Sequence, residues 1–346
     1  MRRMKRSVAL FMAIIMMVSF VPFDKFAEVV KAEEIKTETR TDGSVIWYKV
    51  NKDETVTITR YLEPDFEDAK DVVIPNKVDG KKVVGITGYA DVHSEYSAFS
   101  TKITSVKLPK GVKKIGKNTF KGCTNLSSVS LPEEIKSIGD SAFENCDSLK
   151  SITLPQKVTT IGNSAFLSCD NLKSISLSKN LKTIGDSAFA YCKSLKSITL
   201  PKEVKSIGSN AFGNCSSLKT IKLSSKLESI GDYAFSGCGN LTELTLPDNV
   251  EEIGEWAFYD CHSLKKIILP KNVKTIEAEA FYGCDKLKVL TIKSDKLTKD
   301  GVKDCLASSS ITTIKLSGSA TKKMTQYKKY FSESNSGKSV KVVKSK

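Results

Sequence analysis

Leu154-Pro-Gln-Lys-Val-Thr-Thr-Ile-Gly-Asn-Ser-Ala-Phe-Leu-Ser-Cys-Asp-Asn-Leu-Lys-Ser-Ile-Ser176 is a 23-residue unit, and the chain repeats it. Eight such units run from Leu108 to Thr291 without insertion or deletion, their register marked by Cys123, Cys146, Cys169, Cys192, Cys215, Cys238, Cys261 and Cys284. A fixed period of this length signals stacked solenoid turns, because one unit is a supersecondary element that cannot cover its apolar side without a neighbour. The fold class that follows is a repeat solenoid, a single elongated body rather than several globular domains.

Within a unit the apolar positions define an inner face. In the second unit they are Leu131, Ile135, Ile138, Ala142, Phe143, Cys146, Leu149 and Ile152. Leu149-Lys-Ser-Ile-Thr-Leu154 alternates inward and outward as a strand does, and Pro155 ends it. Gly139 is expected to supply a tight turn, and Ala-Phe to open a short helical or 3-10 segment.

The pattern Leu-x-x-Ile-x-Leu-Pro-x-x-Val-x-x-Ile-Gly-x-x-Ala-Phe-x-x-Cys resembles the BspA-type leucine-rich-repeat proteins of bacterial surfaces, over about Ile74 to Leu316. The resemblance implies a leucine-rich-repeat right-handed coil of short parallel strands, and adhesin-like binding of host, matrix or microbial surfaces. The chain departs from the common leucine-rich repeat in lacking its Asn after the strand; in the second unit Lys157 stands there. No family binding motif matches, so no binding residue carries over.

Outside the array, residues 1–32 read as a signal peptide: a basic Met-Arg-Arg-Met-Lys-Arg start, an apolar run from Val8 to Phe23, then Val30-Lys31-Ala32 before Glu33. The run is short for a membrane span, so export to the cell surface or medium is expected, with no stable membrane span after processing. Residues 33–107 are read as an N-terminal cap, with a β-hairpin of Val45–Val50 and Thr55–Thr59 about Asn51-Lys-Asp-Glu54, and an atypical first repeat at Ile74, Val83, Ile86, Ala98 and Phe99. The segment 33–43 is read as loose. Residues 292–321 are read as an irregular C-terminal capping repeat around Cys305 and Ile311-Thr-Thr-Ile-Lys-Leu316, and 322–346 as a solvated basic tail.

Nine cysteines in an exported chain would ordinarily suggest disulfides. Eight of them share one repeat position, so stacking aligns them in a column with parallel side chains about 4.8 Å apart. Parallel vectors hold the Cβ atoms beyond the roughly 3.5–4.5 Å that a bridge prefers. Buried free thiols packing as small hydrophobes are the expectation.

Catalytic motifs are poor. Two histidines, His93 and His262, accompany no metalloprotease or nucleophile-elbow pattern, and His262 follows a cysteine of the inward column. Gly111-Val-Lys-Lys-Ile-Gly-Lys-Asn118 approaches a phosphate loop but has Asn118 where a Ser/Thr is needed, and its Gly116 belongs to the repeat. No enzyme activity, cofactor or metal is expected.

Two outward features stand above the background. Lys150, Lys173, Lys196 and Lys219 share one position in four successive units, resuming at Lys265 and Lys288 after Thr242. At ~5 Å each adjacent pair repels by roughly 0.8 kcal/mol in bulk water, so the column is tolerable as a solubilising face and suited to a polyanion. Tyr233 and Trp256 align just before Ala-Phe in adjacent units, and Tyr259 and Tyr282 just after it, as a contact patch would. The functional expectation is a binding protein that recognises a protein or glycan through its solenoid surface. The alternative is a wall-associated structural protein holding an anionic wall polymer through the lysine column and basic tail; nucleic acid is not an expected partner. The net charge of +15, about +11 without the leader, leans toward anions.

Overall fold

In the computed structural model, which describes residues 35–62, 71–90, 95–333 and 340–345, the 23-residue units stack one coil upon the next with a shared core. The signal peptide expected over residues 1–32 lies outside the described residues, as does His93. Among the described residues no helix is long and apolar enough to cross a membrane.

Each coil contributes two short parallel strands, to two ladders. One ladder uses the expected Leu-x-x-Ile segment: Ser105–Lys107 pairs with Ser128–Ser130, Ser151–Thr153 with Ser174–Ser176, and Ser197–Thr199 with Thr220–Lys222, while a run from Glu243–Thr245 continues to Thr313–Leu316. The other ladder is not apparent from the sequence. It comes from the Val-x-x-Ile-Gly segment, as Lys114–Ile115, Ser137–Ile138, Thr160–Ile161 and so on to Thr275–Ile276, and it is continuous. The isoleucines of this ladder point inward and are buried.

The glycine after each of these isoleucines lets the coils approach. Gly139 lacks the positive φ of a tight-turn glycine. A Cβ on it would lie 2.6 Å from the carbonyl carbon of Gly116, and one on Gly162 would lie 2.6 Å from the amide nitrogen of Asp140. The residue is glycine because the preceding coil's backbone occupies the space. Beside it, Asp140 accepts from the amide of Asn163 at 2.9 Å, Asn163 from Asp186 at 2.9 Å, and Asp186 from Ser209 at 2.8 Å.

The Ala-Phe segment is a pair of turns rather than the expected short helix. Its left-handed residue comes just before Ala-Phe: Asn118, Ser141, Ser164, Ser187, Asn210, Tyr233, Trp256 and Glu279, with φ from 51° to 58°. A second follows before Cys, at Asn145, Ser168, Tyr191, Asn214 and Asp260, with glycine in the other coils. These kinks prevent helical continuation, and their amides instead bond the next coil, as Phe143 does to the Ala165 carbonyl at 2.8 Å and Asn145 to the Leu167 carbonyl at 2.8 Å.

Two columns fill the interior. The phenylalanines from Phe99 to Phe281 stack with ring centroids 5.0–5.6 Å apart. The eight repeat cysteines and Cys305 are buried and unbridged, as the spacing implied. They also make a bond the sequence does not disclose. From Cys146 to Cys284 each thiol donates to the carbonyl of the phenylalanine one coil back, at 3.0–3.2 Å. Each of these carbonyls also accepts the cysteine amide of its own coil, as Phe143 does from Cys146 at 3.2 Å, so the thiol of the next coil fills the second lone pair and gives the small buried side chain a partner for its weak donor.

Both ends are capped. At the start, β1 (Lys36–Thr39), β2 (Val45–Val50) and β3 (Val56–Leu62) form an antiparallel meander, and β3 pairs in parallel with Lys81–Ile86 to close the continuous ladder. The hairpin of β2 and β3 is the expected one. β1, expected to be loose, is held by its backbone pairing, since its side chains are mostly exposed. At the far end the basic segment is part of the cap rather than a solvated tail. Helix α1 (Met324–Glu333) buries Tyr327 and Phe331, and the Tyr327 hydroxyl donates to the Ser294 carbonyl at 2.9 Å. Lys341–Lys344 then adds a parallel strand to Thr313–Leu316.

Candidate functional site

The regular coils expose mostly Ser, Thr and Lys, so the surface acquires character only where a unit departs from its neighbours. Tyr233 and Trp256 sit at the left-handed position that earlier coils fill with Ser or Asn. Asn tolerates that conformation best among residues with a side chain, and a bulky side chain there costs roughly 1–2 kcal/mol. Strained residues of this kind concentrate where function needs a side chain held in place.

The four aromatic residues named from the sequence meet in space. Tyr233 and Trp256 are 5.8 Å apart between ring centroids, Trp256 and Tyr282 5.6 Å, Trp256 and Tyr259 5.0 Å, and Tyr259 and Tyr282 5.0 Å. The rings stack on one another from coil to coil in a layer, and of the four Tyr233 is the most open at 42% exposed while the others are half-buried. The layer is ringed by carboxylates that alignment of the repeats does not bring out. Glu255 accepts from the Trp256 indole Nε1 at 2.8 Å, and Asp260, with Glu279 farther off, pushes the Tyr259 hydroxyl above its ordinary pKa. Charge counted segment by segment, rather than over the whole chain, is the signal that would have found them.

The lysine column is also in register. Lys150, Lys173, Lys196 and Lys219 are exposed, with the Lys173 amide bonded to the Lys150 carbonyl at 2.9 Å and the Lys219 amide to the Lys196 carbonyl at 3.0 Å. Other charged columns are compensated coil to coil: Lys157 with Glu134, Lys193 with Asp170, and Lys226 with Glu203, each at 2.8 Å. Among the described residues the six lysines of the Lys150 column make no ion pair. Beside it, where Ser174–Ser176 and Ser197–Thr199 are not paired, a groove of about 540 Å³ opens, lined by Ile175, Leu177, Lys179, Ser197, Thr199 and Lys202 among others.

His262 points outward, its Nδ1 3.0 Å from both the Gly283 carbonyl and Asp285, while Cys261 is buried. The two are therefore no catalytic pair. Burial holds the Cys261 thiol well above its ordinary pKa, the reverse of what a nucleophile requires.

Stacked parallel strands, an inner apolar column and outward side chains in register define a leucine-rich-repeat solenoid. The model of the BspA type leucine rich repeat region matches six copies over residues 94–219 and 205–338, and the chain belongs to that family. Among solved structures, a leucine-rich repeat protein from Bacteroides ovatus is 28% identical, with 78% of this chain and 81% of that one covered and a TM-score of 0.57. A leucine rich cell surface protein from Faecalibacterium prausnitzii is 23% identical, covering 83% and 96%, with a TM-score of 0.41. The pneumococcal vaccine antigen PcpA is 21% identical, covering 90% and 99%, with a TM-score of 0.37. No protein with a curated description matches the chain.

Proposed function

We propose that the chain is an exported, non-enzymatic recognition protein of the bacterial surface or its surroundings, whose aromatic layer docks a protein or glycan. The observation that carries the reading is the contiguity of Tyr233, Trp256, Tyr259 and Tyr282, none of whose columns carries an aromatic residue in the coils before that of Tyr233. Duplication alone yields sameness, and aromatic side chains bring large contact area at low entropic cost. The test is capture on a protein and glycan array by the chain and by Trp256→Ala plus Tyr259→Ala. Weakening of at least one specific ligand, by about tenfold or more, is expected. Equal capture of every ligand removes the proposal.

A second reading rests on the uncompensated lysine column and the groove beside it, which suit an anionic wall polymer or sulfated glycan. Heparin or teichoic acid retention is expected to fall steeply with salt and to drop on Lys173→Glu plus Lys196→Glu. Retention unaffected by those two changes sets this reading aside.

A further inference from the structure

Charge is distributed unevenly along the array. From Lys150 to Ile230 twelve lysines face four acids, a local balance of +8, whereas from Asp232 to Asp285 ten acids face four lysines, a balance of −6. The aromatic layer lies in the acidic stretch of a chain whose total is +15.

The acids near the rings are placed, not scattered. A groove of about 450 Å³ is lined by Asp232, Glu252, Glu255 and Glu277 together with Ser229 and Thr275, and no basic side chain lines it. It joins the aromatic layer directly, because the carboxylate of Glu255 bonds the Trp256 indole at 2.8 Å and the Glu255 amide bonds Asp232 at 2.9 Å. Asp260 stands next in sequence to Tyr259, and Glu279 two residues before Phe281, in the same coils. Ring faces carry the negative lobe of the aromatic quadrupole and attract cations. Carboxylates around them add field of the same sign.

We infer that this surface, read above as the docking site, takes a segment of a partner protein that bears lysine or arginine side chains. The cationic heads pair with the Glu255, Asp260 and Glu279 carboxylates and lie against the exposed parts of the aromatic stack, of which Tyr233 is the most open. Arginine suits the site better than lysine, since its planar guanidinium both stacks and forks onto a carboxylate. An anionic partner meets repulsion here. A neutral glycan gains ring contact but nothing from the excess of negative charge.

The test uses the full chain and an oligoarginine peptide, followed by tryptophan fluorescence. Trp256 reports binding, because Trp47 is 5% exposed and covered by Arg60 in the N-terminal cap. Binding is expected to weaken by roughly tenfold in high salt, and by at least about tenfold in the variant Glu255→Gln, Asp260→Asn, Glu279→Gln, which keeps the rings and the shape of each side chain. Oligoglutamate is expected to leave the fluorescence unchanged. If the neutralised variant binds oligoarginine as the native chain does, or if array ligands lost on Trp256→Ala plus Tyr259→Ala survive full neutralisation, the cationic partner is refuted while the docking surface stands. If the ring substitutions leave array capture intact, the docking surface itself fails. A reversible dimer in sedimentation that neutralisation abolishes would make the occupant a second copy of this chain, and would overturn the proposal.

Discussion

Raising the pH through about 9 to 10.5 is expected to unfold the array cooperatively. Burial pushes the thiols of Cys123 and Cys215 up to about 12 from an ordinary 9.0, and raises those of Cys146, Cys169, Cys192, Cys238, Cys261 and Cys305 in the same direction. The sign follows from proton binding. In the folded chain these thiols keep their protons above pH 9, while in the unfolded chain they release them. The stability held by the neutral thiols is therefore intact below the unfolded value and lost as pH rises toward the folded one. Each group contributes roughly 1.4 kcal/mol per pH unit in that window. Eight together reach on the order of 10 kcal/mol one unit above 9, comparable with the whole stability of an ordinary domain. Circular dichroism from pH 7 to 11 under reductant, with return to pH 7, measures the transition, and retention of the folded spectrum to pH 11 contradicts the account. The same burial implies that a thiol reagent near pH 8 finds no reactive group in the folded chain and all nine cysteines in denaturant without reductant.

The parts of the fold that were legible in the sequence are those written many times. The cysteine register carries the column, its burial and its unbridged state, because identical positions in a stack must be parallel neighbours. The continuous ladder of Ser137–Ile138 and its equivalents escapes a sequence reading because two residues are too few for a period of two to register. Gly139 is legible as special but not as to cause: close approach and left-handed backbone leave the same letter in a sequence. The left-handed positions are hidden for the opposite reason, since Ser and Asn there read as ordinary polar surface. In the basic segment, eight lysines from Lys322 onward mask the spacing of Met324, Tyr327 and Phe331, which is that of a helix with one apolar side. Of the candidate site, alignment of repeats finds all four aromatic residues and the six lysines, because both are departures from or persistence within a column. It misses Glu255, Asp260 and Glu279, which fall in different columns and converge only through the turns.

Replacing Phe189 with alanine is expected to destabilise the chain by roughly 4–6 kcal/mol, the most any single core truncation here should do. The ring is fully buried and stacks on Phe166 and Phe212, with centroids 5.4 Å away on either side. A buried Phe→Ala change costs about 3–5 kcal/mol through transfer and cavity together, and the absence of stacking on both ring faces adds about 1 kcal/mol. The coil cannot collapse into the gap, because its Phe189 amide bonds the Ala211 carbonyl at 2.8 Å and its carbonyl accepts the Cys215 thiol at 3.1 Å, which fixes the backbone in place. Position in the array then decides how the loss is expressed. In a solenoid stability is a sum of unit and nearest-neighbour interface terms, and this substitution weakens both interfaces of one central coil. Urea unfolding is expected to broaden into two transitions, the coils on either side of Phe189 melting apart. Tyr233→Asn, at an exposed ring on a left-handed residue, provides the contrast: relief of backbone strain offsets the missing ring stacking, and the shift should stay within about 1 kcal/mol. A single transition for Phe189→Ala, displaced no more than that of Tyr233→Asn, would mean that the phenylalanine column is not what couples one coil to the next.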